Sequence, residues 1–323
     1  MSNIYGKNFE IEIFGASHSK SLGVTIKGVP TDYVPNISFI KEEIGRRKPS
    51  NKWTTPRREE DEPIVETGSD GSITITFENK NINDNDYDKF FDTPRPSHAD
   101  YVQKNRYSKE ALLGGGMASG RMTLPIVAAG AIAKDILKSR YSPNIQFKAD
   151  VASVGGESRE SFITQFLDYC YINKDSVGAC IECTVTNPPK FIGEPFFNSV
   201  ESEISRLAFS IPGIKAIEFG DGVACSAKFG SERNDPIVDE DGTTSSNNEG
   251  GINGGITNGN PIVFRVHAKP TPSIGMEQES FNFKTGKIER FTIGGRHDIC
   301  FALRLPVVIE SIAAIALAEL VIK

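Results

Sequence analysis

Three of the chain's four histidines fall in short segments built from turn-forming residues. His18 stands in Gly15-Ala16-Ser17-His18-Ser19, His98 in Pro94-Arg95-Pro96-Ser97-His98-Ala99-Asp100, and His297 in Gly294-Gly295-Arg296-His297-Asp298. Imidazole is the side chain suited to proton transfer near neutral pH. The guanidinium fork that accompanies two of the three grips phosphate or carboxylate. Turns are also where binding and catalytic groups are usually carried. Acid–base chemistry on an anionic substrate is one reading; three unrelated surface histidines is the other. His267, inside a strand-like run, reads as structural.

Further basic and glycine-rich segments bear on that choice. Arg46-Arg47-Lys48-Pro49 is followed by Thr54-Thr55-Pro56-Arg57-Arg58-Glu59-Glu60-Asp61. These forks could hold several anionic groups together, or form a solvated face with local ion pairs. Leu113-Gly114-Gly115-Gly116-Met117-Ala118-Ser119-Gly120-Arg121 precedes an alanine-rich run. Glycine lets backbone approach a ligand, and a helix N-terminus suits a phosphate or a flavin edge. The segment matches neither the Walker loop nor the dinucleotide fingerprint. A third glycine loop, 250–259, and Lys269-Pro270-Thr271-Pro272-Ser273-Ile274 add a lysine and two hydroxyls in a proline-stiffened turn. Each alone is a turn.

The 323 residues allow one large domain or two moderate ones, and 38% hydrophobic with 24% charged residues is ordinary for a globular protein. A net charge of −6 argues against general nucleic-acid binding, so a cationic site would be local. Five scattered cysteines point to reduced thiols. Cys180 and Cys183 sit three apart in a strand-like run and should face opposite ways, against zinc or redox use. No metal-ligand spacing is present. The first residues lack the pattern of a secretory leader, and the apolar run Leu305–Ile322 carries Glu310 and Glu319. A cytoplasmic protein without a membrane span is expected.

The residues above need elements to hold them. Alternation predicts strands at 9–14, 24–27, 73–77, 261–269 and 288–293. Ile37, Ile40 and Ile44 mark a helix ending at Arg46-Arg47-Lys48-Pro49; residues 125–137 read as a buried helix, and a second one begins at Val307. Asn198-x-x-Glu201 resembles a capping box before Val200, Ile204 and Leu207. Residues 239–259 read as a long loop. Strands in adjacent pairs with irregular helices favour an α+β layered fold over a doubly wound sheet.

The ordered blocks resemble the chorismate synthase family along nearly the whole chain. They include Phe14-Gly15-Ala16-Ser17-His18, Arg46-Arg47-Lys48-Pro49, Thr55-Pro56-Arg57-Arg58-Glu59-Glu60-Asp61, Arg95-Pro96-Ser97-His98-Ala99-Asp100-Tyr101 and Ser119-Gly120-Arg121. Gly254-Gly255-Ile256-Thr257-Asn258-Gly259, Lys269-Pro270-Thr271-Pro272-Ser273-Ile274 and Gly295-Arg296-His297-Asp298 continue them. Any one block is weak; the set in order is specific. The resemblance implies an α+β fold, a β-α-β sandwich with helices between antiparallel sheets, in one domain over 1–323 with room for an internal pseudo-repeat. It implies a homotetrameric lyase of the shikimate pathway, which makes aromatic amino acid precursors by 1,4-elimination of phosphate from 5-enolpyruvylshikimate 3-phosphate. Reduced FMN is required without net redox change, and no nucleic acid or membrane takes part.

By the same resemblance, His18, His98 and Asp298 are catalytic. His98 is the acid toward the leaving phosphate, His18 stands by the flavin, and Asp298 assists removal of the substrate proton. Arg46, Arg47, Arg57, Arg95, Arg121 and Arg296 bind substrate anions. Ala118, Ser119, Pro212, Gly213, Gly254, Lys269, Pro270, Thr271, Pro272, Ser273 and Arg296 bind FMN. The chain departs from the family pattern at Ala16, Ser19, Ser97, Met117 and Ile299. Two rival readings follow: a non-catalytic flavin- or phosphate-binding homologue, and a flavin reductase. The source of reduced flavin, NADPH at this chain or a separate reductase, is left open.

Overall fold

The computed structural model describes residues 3–49, 51–55, 60–79, 89–107, 115–294 and 298–323. An antiparallel sheet is formed by β1 (Ile4–Tyr5), β2 (Glu10–Gly15), β3 (Ser21–Lys27), β4 (Ile64–Thr67) and β5 (Ile73–Glu78), in the order β1-β2-β3-β5-β4. A second antiparallel sheet contains β6 (Gln146–Val154), β7 (Ala179–Thr186), β8 (Ile214–Phe219) and β11 (Ile262–Ala268), in the order β6-β7-β11-β8. Two hairpins, β9 (Ile252–Asn253) with β10 (Ile256–Thr257) and β12 (Glu277–Asn282) with β13 (Lys287–Thr292), complete the strands among the described residues.

Two helices fill the space between the sheets. They are α4 (Thr123–Ile136) and α8 (Pro306–Val321). Helix α4 lies on β2 and β3, α8 lies on β6 and β7, and the two helices pack on each other. A helix covered on every side must be apolar all round. Their sequences obey that rule: α4 is buried except at Asp135, and α8 is buried from Val307 to Ala318. The axes come close because Gly130 has no side chain: a Cβ there would stand 2.2 Å from Cβ of Ser311. Helix α1 (Ile37–Arg46) packs on α4 and α6 (Val200–Ala208) on α8. The other α-helices among the described residues, α2 (Lys89–Asp92), α3 (Asp100–Arg106), α5 (Glu160–Ile172) and α7 (Gly230–Arg233), lie outside this pair. One hydrophobic cluster runs from Ile11 and Ile75 in the first sheet through both central helices to Ile181 and Phe264 in the second.

The two buried helices carry charge at one point. Glu310 of α8 accepts both arms of Arg46, each at 2.6 Å, and Nζ of Lys134 at 2.6 Å. Lys134 and Arg46 also meet Glu43 of α1, and Glu310 accepts the Ala149 N–H of β6. Burial alone would raise the Glu310 carboxyl, but bonds from Arg46 and Lys134 hold it below its ordinary value. A buried charge is stable only when paired. Glu310→Gln keeps the shape and removes the charge. It should lower unfolding stability by about 1.5–3 kcal/mol, read from denaturant melts.

The sheet and central-helix expectations hold. Cys183 points into the core while Cys180 faces the other side of β7, as the spacing requires. Helix α6 is capped by Ser199, whose Oγ accepts the Ser202 N–H, and not by Asn198. The carbonyl of Asn198 instead accepts the Glu194 N–H, which fixes that residue one step before the cap. The 239–259 loop contains the β9–β10 hairpin. No helix among the described residues is long and apolar enough to cross a membrane.

Candidate functional site

The turn between β2 and β3 carries His18. Ser19 Oγ accepts the Ala16 N–H at 2.8 Å and donates to Ser21 O, closing the turn. Ser17 Oγ lies 3.1 Å from His18 Nδ1. Asn79, just past β5, donates from Nδ2 to Ser19 O at 2.7 Å and accepts Arg121 Nε at 3.0 Å. Arg121 therefore reaches the histidine turn from the loop that starts α4. Its Nη1 donates to Asp61 Oδ1 at 2.7 Å, and Asp61 Oδ2 stands 3.9 Å from Nη2 of the buried Arg47. Two arginines distant in sequence thus share one carboxylate.

The chain of contacts continues from Arg47. Its carbonyl accepts Arg304 Nε at 3.3 Å, and Arg304 Nη1 stands 3.6 Å from Asp298 Oδ2. Asp298 Oδ1 accepts the Thr55 N–H at 2.7 Å. Residues 53 and 298–300 are docked as well, because Trp53 O accepts the N–H groups of Ile299 and Cys300.

The second histidine turn joins this patch through the glycine loop. Gly115 adopts φ +92°, open to glycine at low cost, and a Cβ there would stand 3.7 Å from Cε1 of His98 and 3.9 Å from its Nε2. The next residue, Gly116, accepts the Ser17 N–H at 3.4 Å. His98 and the His18 turn therefore flank one loop, which runs through Ala118 and Ser119 to Arg121. Ser119 caps the turn before α4 by accepting the Arg121 N–H.

Beside His98, Arg95, Asp100 and Ser273 are buried and paired. Asp100 takes two arms of Arg95 at 2.7 Å each, and Arg95 Nη1 donates to Ser273 Oγ at 3.0 Å. Lys269 Nζ donates to Ser97 O at 2.7 Å, and its N–H donates to Gly213 O, so the Pro212-Gly213 turn lies against Lys269. Burial, followed by the nearby Lys215, lowers the Lys269 ammonium from its ordinary value. In the same segment Thr271 Oγ1 is buried and has no hydrogen-bond partner among the described residues. A buried hydroxyl in that state suits an incoming polar ligand.

The structure thus brings His18, His98, Asp298, Arg47, Arg95, Arg121, Ala118, Ser119 and the 269–273 segment into a contiguous chain of contacts. Arg46 is placed elsewhere, in the Glu43–Lys134–Glu310 network between helices. Gly254 is at the tip of the β9–β10 hairpin, whose Gly255 O accepts the Val200 N–H at the start of α6. Arg57, Arg296 and His297 lie outside the described residues. Asp61, Asn79, Asp100 and Arg304 complete the site; the sequence presents Asp61 and Asp100 only as the ends of basic segments and gives no signal for Asn79 or Arg304. No group of three or more metal-ligating side chains is found among the described residues.

Comparison with known proteins gives one answer. The sequence model of the family described as chorismate synthase matches residues 9–322. A chorismate synthase of Chitinophaga pinensis is 47% identical, over 98% of this chain and 96% of its own length. A chorismate synthase of Methanobrevibacter smithii is 37% identical, over 100% and 97%. A solved structure described as a crystal structure of chorismate synthase superposes with a TM-score of 0.73 at 22% identity, covering 98% of this chain and 92% of that one, and shares the fold.

Proposed function

Since this chain belongs to the chorismate synthase family, a family of lyases of the shikimate pathway, we propose that it eliminates phosphate from 5-enolpyruvylshikimate 3-phosphate with reduced FMN. The observation that carries the proposal is the contiguous run from His18 through Asn79, Arg121, Asp61 and Arg47 to Arg304 and Asp298, with His98 joined across Gly115 and Gly116. Arginines, two imidazoles and a carboxylate on one patch support that reading.

The residues fit FMN. Lys269, Ser273 and the unpartnered Thr271 Oγ1 would hold its polar atoms, with Ala118, Ser119, Pro212 and Gly213 alongside. When bound, FMN in its reduced form supplies electron density to the breaking carbon–oxygen bond and recovers it afterwards. The chain's own groups do the rest. Arg47 and Arg121 bind the phosphate and carboxylates and stabilise charge on the leaving oxygen. His98 donates a proton from Nε2 to that oxygen. Asp298, fixed by Thr55 and Arg304, is the carboxylate placed to help remove the substrate proton. His18, held by Ser17, keeps a proton beside the cofactor. The C–O pair leaves with phosphate, the C–H pair becomes the new double bond, and oxidation states balance.

Arg46 serves the fold, by its bonds to Glu43 and Glu310. Arg57, Arg296 and Gly254 are assigned to the site by family resemblance. A cytoplasmic homotetramer is the proposed working form. The experiment supplies the substrate anaerobically with either chemically reduced FMN or oxidised FMN plus NADPH. Chorismate in the first arm alone points to a separate flavin reductase; chorismate in both points to reduction at this chain. Flavin binding with no product in either arm favours the binding-protein reading.

A further inference from the structure

The bonds around His98 specify more than its position. Its Nδ1 lies 2.6 Å from Asp100 Oδ1 and 3.0 Å from Arg95 Nη2, and Arg95 Nη2 is itself 2.7 Å from the same carboxylate oxygen. A guanidinium can only donate, and an ionised carboxylate can only accept. A bare Nδ1 would point its lone pair at a carboxylate oxygen 2.6 Å away. A protonated Nδ1 makes a short charge-assisted bond there. Asp100 is ionised: burial would raise its carboxyl, but bonds from Arg95 and His98 hold it well below the usual range. Arg95 is then satisfied by both Asp100 oxygens and Ser273, without needing Nδ1 as an acceptor.

From this geometry we infer that Asp100 is a positioning residue, which keeps Nδ1 of His98 protonated and confines the exchangeable proton to Nε2. Cε1 and Nε2 are on the ring edge toward Gly115, where an added Cβ would make only ordinary van der Waals contact, at 3.7 and 3.9 Å. The assignment rests on the reading of His98 as the proton donor. It explains why Asp100, the first residue of α3, is buried, although a carboxylate in a first helical turn gains dipole stabilisation at the surface as well.

The full chain carries four histidines, so selective nitrogen-15 labelling of imidazoles resolves His98 by its loss in His98→Ala. Above its titration, the parent protein should show the neutral form protonated at Nδ1. In Asp100→Asn, Arg95 Nη2 can donate to Nδ1, and the spectrum should shift toward the form protonated at Nε2. Turnover should fall about 10–100-fold, part of the full contribution of a general acid, with KM changed less than about threefold. Asp100→Glu should restore part of the loss. An Nε2-protonated form in the parent overturns the inference, and this reading requires no Asp100 variant, only the His98→Ala protein used for assignment. So does a fall in turnover for Asp100→Asn with the Nδ1 form unchanged, since the loss then comes through Arg95 or the fold. Normal turnover by His98→Ala overturns the donor role instead, and leaves the tautomer result to stand by itself.

Discussion

Replacing His98 with alanine should lower kcat about 10²–10⁴-fold while substrate affinity stays close to that of the parent. A proton delivered to the leaving phosphate oxygen matters in the transition state and hardly at all in the ground state, so the loss belongs in kcat. His98 is placed for this: Asp100 holds Nδ1, Nε2 faces the glycine loop, and the side chain is 18% exposed. Removing it deletes no guanidinium, so the anion grip survives. Substrate binding by equilibrium titration and single-turnover phosphate release separate the two quantities. Parent-like turnover in His98→Ala would remove it from the mechanism.

The second large effect is at Arg121. Its Nε and Nη1 are fixed by Asn79 and Asp61, and its side chain is 13% exposed. A surface arginine is worth less than about 1 kcal/mol. A partner of a substrate anion in a desolvated site is worth on the order of 2–5 kcal/mol. Arg121→Ala should therefore lower kcat/KM by about 30- to 5,000-fold. Arg121→Lys should recover little, because it keeps the charge and loses the planar fork that Asn79 and Asp61 orient. Thermal melting and flavin binding check that the fold survives. A loss below about fivefold in Arg121→Ala would match the surface value and break the proposed convergence of Arg121 with Arg47.

The sequence makes the histidine turns visible because imidazole between turn residues is a local pattern. It makes the buried helices visible because α4 and α8 are apolar all round. Arg46 and Arg47 show the limit. They are neighbours at the end of α1, and the pattern treats them alike. A helix turns about 100° per residue, so Arg46 faces Glu310 of α8 while Arg47, at the cap, faces Asp61. Asn79 gives no signal at all, since its role depends on β5 ending beside the β2–β3 turn. In the sequence Asp100 is the tail of a motif, and its hold on His98 is visible only once α3 begins there. Strands β6 and β8 are hard to read because their exposed positions do not alternate cleanly. Serine at position 19, a departure from the family pattern, is explained by its bonds to Ala16 and Ser21. Met117, another departure, packs partly buried against the hydrophobic cluster.

The proposed reaction eliminates phosphate at this patch with electrons that are lent and returned. The most direct measurement mixes the protein anaerobically with photoreduced FMN and excess 5-enolpyruvylshikimate 3-phosphate, following chorismate, phosphate and flavin absorbance together. Equal amounts of chorismate and phosphate are expected, with many turnovers per flavin and the flavin still reduced at the end. Bound flavin with no product, or one flavin oxidised for each substrate consumed, would contradict it.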